Sequence, residues 1–473
     1  MIHMTSHNLL LRRHTAHRRI QYVLLLGVQL CCWSFAWGQA IHLVPQPKQM
    51  ELTGGHVSAE RAVLKVHRTV REQFPATVSN VEQLFGSGSA NLPITVEIRG
   101  RGEDAFLPSN VRSALMRPDA YWIEAKRDAI RVVGADARGA LHGLTTLEKL
   151  LNHGKGSVPL GHILDWPDHK IRALHLVLGG ASPQQPSTPS SVVREMIGKA
   201  RRMQFNTLIL QLANSVQFKS MERIVRPSSP WTVAEFLSVV RFARENGLEV
   251  IPEIKLLTHQ EKLLRQHYPD LMYNKFTYDP QKNETYATVL PMIDEVIDEM
   301  RPKAVHIGHD ELAGWDPQKN LEAGETVLPP ELFLMDVQRL HAHLKRRGVD
   351  TWMWGDMLLA PQEFPDMGPR QLHGAHGHAA LRSKIPQDIV ICDWHYRGLT
   401  FPSALAFAQA GHRVLGATWK RADNIRAFSR YVANMKMGGE GMIATTWHHV
   451  RREEWNLVDD IIKTSGEAFW NAR

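Results

Sequence analysis

The sequence predicts an α/β protein: a (β/α)8 TIM barrel preceded by a small α+β domain. Three observations carry this prediction. From Lys170 onward, eight short apolar segments alternate with helical stretches over about 280 residues, the number and length that a closed barrel of parallel βαβ units needs. Before Lys170 that alternation is absent. Six of the eight segments end in polar or aromatic residues, on the face where barrel enzymes build their sites. A doubly wound open sheet is the competing architecture.

Taken in order, residues 1–40 carry Arg12, Arg13, Arg18 and Arg19 and no acid, then an apolar run from Ile20 to about Trp37, then Gly38, Gln39 and Ala40. That order predicts a cleaved secretory signal peptide, hence a secreted or periplasmic protein. An uncleaved membrane anchor is the alternative, because the run approaches the spanning length of ~18 residues. Leu30 ahead of Cys31 does not match a lipoprotein site. Cleavage would reduce the net charge from +8 to +4, too mild an excess to indicate nucleic acid. Only Cys392 would remain, so no internal disulfide could form and the core must suffice alone. With 43% hydrophobic and 22% charged residues, the composition is that of a folded chain with a large core. No later segment is long and apolar enough to span a membrane.

Residues 41–165 form the α+β block. "LPITVEIRG" and "AIRVVGAD" read as strands. "ARGALHGLTTLEKLLNHG" reads as a helix, with Leu141, Leu144, Leu147, Leu150 and Leu151 at helical spacing and Gly154 past its end. Residues 166–473 form the barrel. Its strands are predicted at 171–178, 206–212, 248–254, 303–309, 350–356, 388–394, 412–418 and 441–447. Helices such as "VVREMIGKARRMQ", "TVAEFLSVVRFARENG" and "FLMDVQRLHAHLKRRG" separate them. "GGASPQQPSTPSS" is a Ser/Pro-rich loop after the first strand.

The polar strand ends are Glu253, His309–Asp310–Glu311, Trp354 with Asp356, Asp393 to Tyr396, Thr418–Trp419 and Trp447–His448–His449. Two adjacent carboxylates can divide labour if one stays ionised while the other is desolvated and donates a proton. Glycoside hydrolysis needs such a donor for the leaving oxygen, and ordinary retaining enzymes add a nucleophilic carboxylate about 5–5.5 Å away on another element. A neighbour in sequence is awkwardly placed for that attack. A substrate whose 2-acetamido oxygen is its own nucleophile removes the difficulty. Trp and Tyr rings suit the apolar faces of sugars.

"HIGHDE" resembles the H-x-G-x-D-E signature of glycoside hydrolase family 20, the β-N-acetylhexosaminidases. "ILDWPDHKIRAL", "FNTLILQL", "EVIPEI", "WGDML", "DWHYRG" and "GEGMIATTW" are similar to further family segments, over essentially the whole chain after residue 40. The resemblance implies a zincin-like α+β domain before the barrel, an N-acetylhexosamine-containing glycan as partner and no cofactor or metal. It further implies that Glu311 is the general acid/base and Asp310 the holder of the acetamido group. Tyr396 would bond the acetamido oxygen, Trp354 and Trp447 would wall the pocket, and His306 would support the carboxylates from within. Asp356, Trp394, His259, His309 and His449 complete the expected substrate-binding set.

Departures from the family pattern are also legible. Gly180 aligns with a hydroxyl-clamping Arg. Gln211 and Asn214 replace a His and an Asp. "PEIKLLTHQ" keeps only His259 where an Asp and a Pro-Gly precede the His. His309 replaces a signature glycine, and His449 an acid. Arg397, His395, His448 and His449 are candidates for replacement contacts. His373, His376 and His378 in "LHGAHGHAA" could bind Zn²⁺ or Cu²⁺, or form a substrate-facing or solvated loop. Cys392 reads as a core thiol. Two rival functions stay open: a metal-dependent barrel hydrolase, and a carbohydrate-binding barrel with little or no turnover.

Overall fold

A computed structural model describes residues 41–85, 92–100, 107–179, 185–212, 214–224, 226–313, 320–447 and 452–472. The expected signal peptide lies outside the described residues. His42–Arg473 forms one compact unit.

Six strands build the first sheet: β1 (Gln49–Ser58), β2 (Ala62–Val66), β3 (Leu92–Ile98), β4 (Tyr121–Ala125), β5 (Ile130–Gly134) and β6 (Ser157–Asp165), in the order β1-β6-β4-β5-β3-β2. The helix Ala137–His153 packs on it through the predicted leucines, all of them buried. Asp136 caps that helix by accepting from Gly139 N at 2.8 Å. A Cβ at Gly139 would lie 2.2 Å from the Ala120 carbonyl oxygen, so only glycine lets the helix approach β4 so closely. The sequence pattern indicated β3 and β5 but not β1, β2, β4 or β6. Strand β1 is almost wholly exposed and interrupted by Gly54–Gly55, so it has no apolar alternation to read.

The barrel closes in the order β10-β11-β12-β13-β14-β7-β8-β9. Its strands are β7 (Ile171–Val177), β8 (Thr207–Gln211), β9 (Glu249–Leu256), β10 (Ala304–Gly308), β11 (Asp350–Trp354), β12 (Val390–Trp394), β13 (Arg413–Thr418) and β14 (Gly439–Thr445). Each overlaps a predicted segment. Strand β7 pairs with both β8 and β14, so the sheet is closed and the doubly wound alternative is excluded. Low in the barrel the interior is apolar, with Ala173, Ile209, Ile251, Ala304, Trp352, Val390, Leu415 and Ile443 in one buried cluster. Two residues further along their strands, His175, Gln211, Glu253 and His306 are also buried. The interior therefore turns polar toward the C-terminal face.

Arg172 at the base of β7 joins the barrel to the first domain. Its guanidinium bonds Asp119 Oδ2 at 2.8 Å and sits 5.0 Å from the centre of the Trp470 ring. Burial pushes the Asp119 carboxyl upward, but Arg172, His142 and Arg138 outweigh it and hold the group well below the usual carboxylate range. Asp119→Asn should cost about 3–5 kcal/mol, because it leaves a buried guanidinium without its counter-charge. A folded-state value below the unfolded one means that this contribution is in full force above about pH 4 and fades as the pH falls further. Calorimetric unfolding at neutral and acid pH checks both statements, and an equal loss at the two would contradict the sign.

No helix among the described residues is long and apolar enough to cross a membrane. Cys392 is fully buried, and burial pushes its thiol well above the ordinary value, as expected for a core thiol. The basic end of the helix Pro330–Arg346 is engaged locally: His343 bonds Asp294, and Lys345 bonds Asp388.

Candidate active site

Strand β10 is buried throughout, its apolar residues interrupted only by His306, and the chain then turns sharply. Gly308, His309 and Glu311 have φ of +77°, +70° and +50°, the left-handed region that side chains disfavour. Leu257 and His259 after β9 and Trp447 after β14 share it, with φ of +62°, +57° and +35°. Such strain concentrates where the surrounding fold over-determines a functional geometry.

The turn sends adjacent residues in opposite directions. His309 points behind the barrel, where Nδ1 lies 3.0 Å from Ile307 O and Nε2 lies 2.9 Å from Asp336 Oδ2. Its ring meets Phe333, and it is fully buried. The expectation that His309 binds substrate is therefore corrected: it anchors β10 to the helix Pro330–Arg346. Asp310 and Glu311 face the mouth.

Asp310 is gripped from below and from the side. Lys255 Nζ lies 3.0 Å from both carboxylate oxygens, and His259 Nε2 lies 3.3 Å from Oδ2. Burial would raise the Asp310 carboxyl, but Lys255 and His259 outweigh it and hold the group well below its usual range. Glu311 behaves in the opposite way: burial and the adjacent Asp310 charge push its carboxyl up. His259 Nε2 is 3.9 Å from Glu311 Oε2. The two neighbouring acids thus differ in protonation tendency, the condition for one to stay ionised while the other donates.

Asp356, just past β11, organises the other flank. Its Oδ2 accepts from Glu311 N at 3.0 Å and lies 2.8 Å from His373 Nδ1, while Oδ1 accepts from Trp394 Nε1 at 3.1 Å. Trp394 stacks on Tyr396 with ring centres 5.0 Å apart. Tyr396 Oη accepts from Trp447 Nε1 at 2.8 Å. A continuous aromatic wall therefore links the end of β12 to the end of β14.

Trp354 sits one layer lower. It is fully buried, its ring centre 5.7 Å from that of Trp447, and it donates to Glu253 Oε1 at 3.2 Å. Trp354, expected to wall the sugar pocket, lies against Trp447 in the buried layer beneath it. His306 is also interior, 4.6 Å from Trp354 between ring centres, with Nδ1 accepting from Gly308 N. It underlies the carboxylate turn without hydrogen-bonding to either carboxylate. Glu253 gathers this layer, with His175 Nε2 at 2.7 Å, Gln211 Nε2 at 3.1 Å and Lys255 Nζ at 3.3 Å.

His395 does not reach the mouth. It is buried behind β12 against Asp393, Ser403 and Gln371, so it supplies no replacement sugar contact. Arg397 is exposed beside Tyr396. Gly180, His448 and His449 lie outside the described residues. The three loop histidines diverge: His373 is held by Asp356, His376 is exposed and His378 is buried against Phe333. Among the described residues no group of three or more His, Cys, Asp or Glu is arranged to hold a metal ion.

Sequence reasoning passed over Lys255 as a site element, and it named Asp356 and His373 separately without pairing them. For Lys255 a signal existed: it follows Glu253 by two residues, so strand alternation puts both on the interior face. His373 offers no such periodic signal, because a loop carries it.

Two family models match successive stretches: "Glycosyl hydrolase family 20, domain 2" over residues 40–166, and "Glycosyl hydrolase family 20, catalytic domain" over residues 210–422. The second contains the Asp310–Glu311 turn. The chain belongs to glycosyl hydrolase family 20. Its relatives in the family are distant. Hexosaminidase D of Bos taurus is 25% identical over 260 residues, 53% of this chain and 69% of the relative. Hexosaminidase D of Homo sapiens is 27% identical over 200 residues, 40% of each chain. The fold is similar to that of the family 20 β-N-acetylhexosaminidase from Streptomyces coelicolor, with a TM-score of 0.68 at 16% identity, covering 90% of this chain and 91% of that one. This family 20 chain therefore shares its architecture with such enzymes while most of its side chains differ.

Proposed function

We propose that this chain is an exo-acting β-N-acetylhexosaminidase that releases terminal β-linked N-acetylhexosamine by substrate-assisted retention. The observation that carries the reading is the Asp310–Glu311 turn, where one carboxyl is held ionised and its neighbour is pushed toward the protonated form. Glu311 gives its proton to the leaving oxygen as the substrate's acetamido oxygen attacks the anomeric carbon. The leaving group departs with the bonding pair and a cyclic oxazolinium-like intermediate forms. Glu311, now ionised, takes a proton from the water that opens the ring. Asp310 accepts from the acetamido N–H and faces the positive charge that develops there. Because Trp447 Nε1 donates to Tyr396 Oη, the phenol's own proton is the one it can give to the acetamido oxygen. Trp447 and Trp394 offer the aromatic surface for the sugar. No cofactor enters this scheme.

A panel of chromogenic glycosides with and without the 2-acetamido group tests the reading. Turnover should be confined to the acetamido members and should be blocked by a thiazoline analogue of the cyclic intermediate. Equal turnover of the plain 2-hydroxy glycosides would refute it.

The reading also assigns residues 1–40 as a secretory signal, 41–165 as the accessory domain and 166–473 as the catalytic barrel. It makes the protein secreted or periplasmic. A mass measurement on protein exported by its native host should place the mature terminus near residue 40, and an intact leader would count against export.

A further inference from the structure

Strand β9 brings a cation into the base of the site. Lys255 has only 10% of its side chain exposed, and its ammonium contacts Asp310 Oδ1 and Oδ2 at 3.0 Å each and Glu253 Oε1 at 3.3 Å. An ammonium has three protons to donate. Two of them go to Asp310 and the ammonium is also paired with Glu253, so Lys255 is turned toward these carboxylates and acts through Asp310. The carboxylate has about four acceptor positions. Lys255 occupies one on each oxygen and His259 occupies the second on Oδ2. One acceptor position remains, on Oδ1, matching the single N–H of a secondary amide.

We propose that Lys255 is a positioning residue for the acetamido-assisted step: it clamps Asp310 so that one lone pair of Oδ1 meets the amide proton, and it sets the pH window in which Asp310 and Glu311 are correctly protonated. The proposal rests on the glycosidase reading above. Glu253 and His175 face this pair from deeper in the barrel, as does His306 on β10. His259 flanks it, Glu311 adjoins it, and Asp356 with His373 close it from β11. Replacing Lys255 leaves all of these in place and removes one positive charge. That charge favours the ionised form of both Asp310 and Glu311. Its loss moves both carboxyls upward, so both limbs of the pH–rate profile move upward together.

Two measurements on the full chain test this. In the first, thermal midpoints are compared for wild type, K255M, D310N and K255M/D310N. Each single variant should melt lower, and the double should melt higher than the sum of the two losses requires; additive losses would overturn the clamp. In the second, kcat/KM on 4-nitrophenyl N-acetyl-β-glucosaminide is followed across the acid and neutral range. The K255M profile should shift to higher pH on both limbs, the acid limb by about 1–3 units, the effect of losing an opposite charge in contact with Asp310. A profile that loses height without moving would reduce Lys255 to a structural part and overturn the positioning role. Should K255M fail to fold, K255Q keeps a donor without the charge and should show the same shift. If wild type turns over no hexosaminide while the thermal cycle shows coupling, the glycosidase reading fails. The pair then stands as a structural clamp alone, and the positioning role falls with that reading.

Discussion

Glu311→Gln is expected to lose about 10²–10⁴-fold in kcat/KM on substrates with poor leaving groups, the range that general acid–base help supplies. Burial and the Asp310 charge raise the Glu311 carboxyl, so the proton is still present at pH values where an ordinary glutamate has lost it. Activity should therefore fall as the pH rises through that elevated value. Leaving groups that depart without protonation should be spared in the first step, so the loss on an activated aryl glycoside should be much smaller than on a disaccharide. Steady-state rates on the two substrate types decide the matter: equal losses on both would mean that Glu311 does something other than deliver a proton. Glu311 N is bonded to Asp356 Oδ2 at 3.0 Å, so the substitution leaves the backbone anchor in place and the test isolates the carboxyl.

Asp310→Asn is expected to act on activity and stability together. On 2-acetamido substrates it should lower kcat by roughly 10²–10³-fold, the usual consequence of removing one preorganised group aimed at developing charge. Affinity for a thiazoline inhibitor should fall with it. The same change leaves the buried Lys255 ammonium with Glu253 as its remaining counter-charge. Breaking one side of a buried pair costs about 3–5 kcal/mol, and the retained Glu253 contact places this case at the low end. Asp310 has a folded-state value below its unfolded one. Its contribution is therefore complete above the unfolded carboxylate value of about 3.9 and is lost as the pH drops below it. The stability gap between wild type and Asp310→Asn should be widest near neutrality and narrow in acid. A gap that widens in acid would show that Asp310 is not held ionised.

Adjacent residues part company in the fold. His309, Asp310 and Glu311 look equally functional in the string, yet His309 faces Asp336 behind the barrel while the two acids face the mouth. The turn through positive φ at Gly308, His309 and Glu311 sorts them, and no periodic pattern encodes that turn. Trp354 and Trp447 read alike as strand-end tryptophans, but one lies under the other. His395 follows the interior-facing Trp394 on its strand and so falls on the outer side, against Ser403. Alternation along β12 could have told these two apart.

The eight barrel strands were legible because each is a short apolar run bounded by helical segments, and burial on both faces leaves that mark in composition. The signature around Asp310–Glu311 was legible because its chemistry needs two adjacent acids at one strand end. The sequence by itself thus determined the architecture and the strand end at which two adjacent carboxyls stand. Only the tertiary structure decided which residues control that pair. Lys255 and His259 come from the end of β9, Asp356 from the end of β11 and His373 from a loop, and they meet Asp310 and Glu311 only when the barrel closes. Electrostatic control depends on distances of a few ångströms across the barrel, and spacing along the chain does not specify them.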